Sequence, residues 1–164
     1  MPALTRVGEF GGAGTAWYLN DVNNNPSVKK YADATSIITG ADRDYLTTKV
    51  SYKLNLNGPS LNVQSACSSS TAAIILGIQS LQTYQSDLIL AGGVSVQYPE
   101  KVGYIYASGG MESADGTCRP FDKNANGTVF SRGCGVVLLK RLDEAIADND
   151  HIYSVIRAGS INND

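Results

Sequence analysis

The stretch from Ser60 to Val94 constrains this chain more than any other. Ser60 to Ser65 reads as a strand with Leu61 and Val63 pointing inward, and it runs straight into Ala66-Cys67-Ser68-Ser69-Ser70. The period then changes. Ala72, Ala73, Ile74, Ile75, Leu76, Ile78 and Leu81 leave almost no polar face before Gln82, the pattern of a helix buried nearly all round. After Ser86-Asp87, the run Leu88-Ile89-Leu90-Ala91-Gly92-Gly93-Val94 is continuously apolar, as in a strand covered on both faces. Strand, buried helix and buried strand in succession define an α/β fold, a sheet covered by helices.

Other segments extend that pattern. Residues 5–15 read as a short strand entering a glycine turn at Gly11-Gly12-Ala13-Gly14, whose spacing is not that of a dinucleotide fingerprint. Tyr18 to Lys29 contains Asn23-Asn24-Asn25-Pro26 and reads as a loop or broken helix. Asp42 to Leu54 reads as a helix with Tyr45, Leu46 and Val50 on one side, ended before Gly58-Pro59. Val136 to Leu139 is a second covered strand, Leu142 to Ala147 a short helix, and Ile152 to Ile156 a final strand. Residues 98–132 have no clear period, and a loop that long inside a domain means either function or an unrecognised helix or strand.

Composition removes several classes of function. Thirteen Lys+Arg against fifteen Asp+Glu give a net charge of −2, which provides no basic face for nucleic acid. No apolar run approaches a membrane span, and MPALTRVGEF is no signal peptide. Three scattered cysteines and the single His151 do not make a zinc site and suit a reduced, cytoplasmic setting. The Asn126-Gly127-Thr128 sequon is therefore idle. In the long loop, Arg119 is expected to brace Asp122, and Tyr104 and Tyr106 to pack in the core or line a pocket or interface.

Chemistry centres on Cys67. A strand ends, the chain turns, and a hydrophobic helix opens with Cys67 in or before its first turn. The first amides of a helix lack internal partners and carry partial positive charge, worth about 0.3–1 kcal/mol to an anion and up to ~2 when partly buried. That field favours a thiolate nucleophile, and the same amides can hold an oxyanion. The plain alternative is a small buried apolar cysteine. Cys118 in the glycine-rich loop and Cys134 at a strand start read as structural, and His151, a turn residue after Asp148-Asn149-Asp150, has no sequence support as a base for Cys67.

Ala66-Cys67-Ser68-Ser69-Ser70 after a short strand resembles the active-site motif of the β-ketoacyl synthases, nearest to the ketosynthase domains of modular polyketide synthases. The lead-in Val50-Ser51-Tyr52-Lys53-Leu54-Asn55-Leu56-Asn57-Gly58-Pro59-Ser60 resembles that family too. So do Ala91-Gly92-Gly93-Val94, Cys118-Arg119-Pro120-Phe121-Asp122, Gly127-Thr128-Val129-Phe130, Gly135 to Leu142, and Gly159 to Asp164, all in the family's order. The resemblance implies a thiolase-like layered α/β/α/β/α fold, here only in part. Residues 1–164 would be a single partial domain truncated at both ends. It further implies decarboxylative Claisen condensation with the acyl chain held as a thioester on Cys67. Partners would be an acyl carrier protein, whose phosphopantetheine arm carries the substrates, acyl and malonyl-type thioesters, and a second copy meeting at Leu61 to Ser65. No cofactor would be bound directly. The family's catalytic histidines lie beyond the segment matching Asp164, so the alternative is a non-catalytic truncated or dimerising fragment. A stand-alone cysteine hydrolase lacks a base.

Overall fold

A computed structural model describes residues 5–98 and 102–163. In chain order it contains β1 (Val7–Ala13), α1 (Tyr18–Asn24), α2 (Pro26–Tyr31), α3 (Ala34–Ala41), α4 (Leu46–Leu54), β2 (Ser60–Asn62), α5 (Ser69–Gln82), β3 (Leu88–Ser95), β4 (Gly133–Lys140) and α6 (Leu142–Ala147). Single 3₁₀ turns at Arg43–Tyr45 and Ala66–Ser68 lead into α4 and α5. The four strands form one sheet in the order β2-β1-β3-β4. β1 is parallel to both neighbours, pairing Phe10 with Leu61 and with Ala91, and β4 returns antiparallel to β3 with Ile89 opposite Leu139.

Alternation along β1 assigns one helix to each face. Phe10 packs in a cluster with Ala73 and Leu81 of α5 and Ile89 and Ala91 of β3. On the opposite face Glu9 accepts a hydrogen bond from Ser51 Oγ of α4 at 3.0 Å. Gly77 lets α5 sit down on the sheet, because a Cβ there would come within 2.7 Å of Ile89 Cγ2.

The Asn-Pro sequence breaks a helix rather than forming a loop. Asn25 ends α1 and caps α2, its side chain accepting from the Ser27 and Val28 amides, with Pro26 in the first turn where a missing N–H costs nothing. α3 was not expected from periodicity. Its signal is local: Asp33 accepts from the Ser36 amide at 2.9 Å.

Several expectations need correction. The first strand runs through Gly11 and Gly12 to Ala13, so the glycines lie within the strand. α5 is less fully enclosed than expected: Ile74 and Leu76 are half-buried against the core cluster, Ile78 is half-buried, and Ser70, Thr71, Gln79 and Gln82 are exposed. Leu61 is 53 % exposed instead of inward: α5 lies over β1 and β3, and edge strand β2 extends past it. β4 is not covered on both faces, with Val136 at 60 % and Leu138 at 62 % exposure. Among the described residues α4 packs chiefly on β1 and β2, and α5 meets β4 near Leu139. Ile152 to Ile156 pairs with no strand among the described residues and runs beside α5, where Ile156 and Gly159 line a groove with Ile75 and Gln79.

The long loop lacks helix and strand among its described residues, as expected, yet it is tied together. Ser113 is fully buried, with its hydroxyl 2.8 Å from Asp115 Oδ1 and 2.9 Å from Asn126 Oδ1. Tyr104 donates to the Ser113 carbonyl at 2.6 Å, while Tyr106 is half-exposed. Arg119 pairs with Asp115 at 2.9 Å and not with Asp122, whose carboxylate is turned back onto the Asn124 amide at 2.7 Å.

Candidate active site

The carboxyl ends of parallel strands are where open α/β sheets place their ligands. Here β2 ends at Asn62, Val63 hydrogen-bonds to the Gly11 carbonyl at 2.9 Å, and the chain turns into α5 at the carboxyl end of β1. The turn is tight and strained. Ala66 has φ of 45°, in the left-handed region that a Cβ disfavours. Cys67 follows in the 3₁₀ turn and is exposed. In this chain the cysteine is not buried, unlike the plain alternative of a small apolar core residue.

Close packing fixes this turn to the sheet. A Cβ on Gly12 would lie 2.5 Å from Ser69 Cβ and 2.9 Å from the Val63 carbonyl oxygen. Only glycine allows the first residue of α5 to approach β1 so closely. A Cβ on Gly93 would likewise come 3.0 Å from Ser70 Cβ. Ser68 makes no side-chain cap to α5, and the Ser69 amide turns back onto the Ala66 carbonyl through the 3₁₀ turn that carries Cys67.

The remaining candidates lie elsewhere. Cys118 is exposed in the long loop, its Sγ 3.7 Å from Thr128 Oγ1. Cys134 is exposed on β4 opposite Val94. No cluster of metal-ligating side chains occurs among the described residues, and no described helix is long and apolar enough to cross a membrane. His151 is exposed and meets the Tyr153 ring edge-on at 4.5 Å. It belongs to the far end of α5. Arg141 donates to the carbonyls of Leu81 and Ser86 at 2.8 Å, and Asp150 is tied to Lys140 at 2.6 Å. The fourteen residues of α5, roughly 21 Å of helix, separate that end from Cys67. A Cys67–His151 dyad does not form.

Sequence reasoning missed two supports. Arg141 joins α5, Asp87 (3.3 Å) and Glu144 (2.7 Å), and its guanidinium lies 4.4 Å from the Tyr84 ring centroid. Asp87 also takes the Arg6 guanidinium at 3.1 Å, and hydrogen bonds from Arg6 and then Arg141 hold its carboxyl down to about 2. The bonds to Asp87 had no local signal, because Arg6 and Arg141 lie 81 and 54 residues from it. The second support is the Ser69 hydroxyl, which bridges the Ser65 amide and the Ala66 carbonyl.

The site is thus an exposed cysteine on a strained turn between a mixed sheet and α5. The beta-ketoacyl synthase N-terminal domain family matches residues 3–145, and the chain belongs to that family. Among its relatives, it is 49 % identical over 132 residues to a phenolphthiocerol/phthiocerol polyketide synthase of Mycobacterium tuberculosis, covering 80 % of this chain and 9 % of that protein. It is 34 % identical over 166 residues to the probable polyketide synthase 1 of Dictyostelium discoideum, covering 99 % of this chain and 5 % of that one. Ketosynthase twelve of the bacillaene polyketide synthase of Bacillus amyloliquefaciens superposes with a TM-score of 0.80 at 32 % identity, over 90 % of this chain and 26 % of that chain. The oxazolomycin ketosynthase domain of Streptomyces albus gives 0.72 at 34 % identity, over 89 % and 25 %. The chain thus spans less than a tenth of the curated relatives and about a quarter of the solved ketosynthases. Its sheet and helices are a partial α/β ketosynthase fold.

Proposed function

We propose that the chain is the nucleophile-bearing part of a polyketide-type ketosynthase domain, with Cys67 as the acyl acceptor. The observation that carries this is the placement of Cys67: exposed, on a strained turn, at the carboxyl end of β1 and immediately ahead of the amino end of α5. In this reading the Cys67 thiolate attacks the carbonyl carbon of an acyl thioester. The tetrahedral oxyanion collapses, and the pantetheine thiolate of an acyl carrier protein leaves and takes up a proton. A malonyl-type thioester then loses CO₂, and its carbanion attacks the Cys67 thioester. The new carbon–carbon bond forms as Cys67 departs as thiolate.

The single histidine, at the other end of α5, takes no part, so the acid–base groups of this reaction come from outside the 164 residues. A second ketosynthase copy is assigned to the open edge of β2, the end strand of the sheet. Three free thiols fit a cytoplasmic setting. The test is acyl loading of the complete polypeptide with a small acyl thioester, followed by peptide mass spectrometry. The acyl mass is expected on Cys67 and lost in Cys67→Ala. Loading on Cys118 or Cys134 instead, unchanged by Cys67→Ala, overturns the assignment.

A further inference from the structure

Ala66 stands immediately before Cys67 with φ of 45°. A residue with a Cβ persists there only where its surroundings over-determine the backbone. The surroundings here converge on one residue, Ser69, whose backbone amide already donates to the Ala66 carbonyl. Ser69 Oγ accepts from the Ser65 amide at 2.8 Å and donates to the Ala66 carbonyl at 2.8 Å. A serine hydroxyl has one proton to give, and this one goes to Ala66 while the oxygen takes up the amide from the other side. The single oxygen therefore spans the Ala66 torsions. Ser69 cannot drift, since it is 8 % exposed and its Cβ abuts Gly12. Ser68 Oγ adds a bond to the Ser65 carbonyl at 2.8 Å, but from the exposed side.

We propose that Ser69 is a positioning residue for the nucleophile: its buried hydroxyl clamps Ala66 in the left-handed conformation and so aims the Cys67 thiol at the amino end of α5. This rests on the reading of Cys67 as nucleophile. Without the clamp, Ala66 relaxes to negative φ, the peptide between Ala66 and Cys67 rotates, and the thiol leaves the field of the α5 amides.

The test uses Ser69→Ala, Ala66→Gly and the double variant in the complete polypeptide. Alkylation of Cys67 by iodoacetamide is followed by peptide mass spectrometry across a pH series. The exposed Cys118 and Cys134 serve as references in the same sample. Ser69→Ala lowers the Cys67 rate relative to the references by about three- to tenfold, the effect of losing one or two hydrogen bonds. Glycine adopts positive φ freely, so Ala66→Gly alone leaves the rate near native and in the double variant restores it to within about twofold. If Ser69 only packs or stabilises α5, Ala66→Gly restores nothing, and that result overturns the proposal. So does an unchanged rate in Ser69→Ala. Should Ser69→Ala fail to fold, a folded and reactive double variant supports the clamp, and failure of both overturns it. Acyl loading is scored separately: if native Cys67 takes no acyl group while the alkylation pattern holds, the condensing-enzyme reading falls and the positioning role stands.

Discussion

Gly12→Ala probes the contact on which the site is built. The added methyl would lie 2.5 Å from Ser69 Cβ and 2.9 Å from the Val63 carbonyl oxygen. Carbon atoms in favourable contact stand about 3.5–4.0 Å apart, so the first contact falls short by at least ~1 Å. Neither neighbour can rotate away, since one is the backbone of the turn and the other is fixed to the first residue of α5. The start of the helix must therefore lift from β1, at about 1–3 kcal/mol, the usual cost of overpacking. Native-state hydrogen exchange at the α5 amides reads this locally. A cost of about 2 kcal/mol accelerates exchange roughly 30-fold where exchange proceeds by opening α5 from the sheet. Gly40→Ala is the matched control: it lies within α3, nothing stands within 4 Å of its Cβ position, and its φ is not positive. There the same methyl stabilises by about 0.4–1 kcal/mol by restricting the unfolded chain. If Gly12→Ala leaves α5 exchange unchanged, or if the two variants shift stability in the same direction, the close-approach argument is wrong.

Ile89→Ala, at a fully buried position under α5, costs about 2–5 kcal/mol, read as a lowered urea midpoint. Asp87 titrates below its ordinary 3.8, so its stabilisation is present above that value and is lost as pH falls towards about 2. Asp87→Asn accordingly flattens the stability profile between about pH 4 and pH 2; an unaltered profile there contradicts the Arg6–Asp87–Arg141 assignment. Glu9 is raised by burial, against a lowering by its Ser51 hydrogen bonds, so its contribution is present at acid pH and fades as pH rises through the raised value. Glu9→Gln should therefore stabilise more at pH 7 than at pH 4, and urea midpoints at the two values check the sign.

The parts of this fold readable from sequence are those whose signal is local. The apolar run from Leu88, the helix after Cys67 and the boundaries of α6 each follow from periodicity or turn chemistry within a few residues. Burial was overread, because apolar content reports what a strand can bury and not what lies on it. Val136 and Leu138 carry a core-strand pattern, yet no helix reaches that side of β4 among the described residues. Ile152 to Ile156 has strand composition but no ladder partner among the described residues. At the site, Cys67 was legible from a strand-to-helix switch around a thiol. The strain at Ala66 and the double duty of Ser69 were not, since an Ala-Cys-Ser-Ser-Ser string carries no mark of which hydroxyl turns inward.

The central place of β1 sets a schedule for biosynthesis. Its two hydrogen-bonding partners are β2 and β3, and Arg6, at its foot, meets Asp87 only after 81 further residues. At about 5–20 residues per second, a ribosome needs roughly 4–16 s to deliver them. Throughout that interval Val7–Ala13, the strand on which the whole sheet is laid, lacks its β3 partner and keeps an edge unpaired. The nascent chain thus carries an unpaired strand edge until β3 has emerged and can close it.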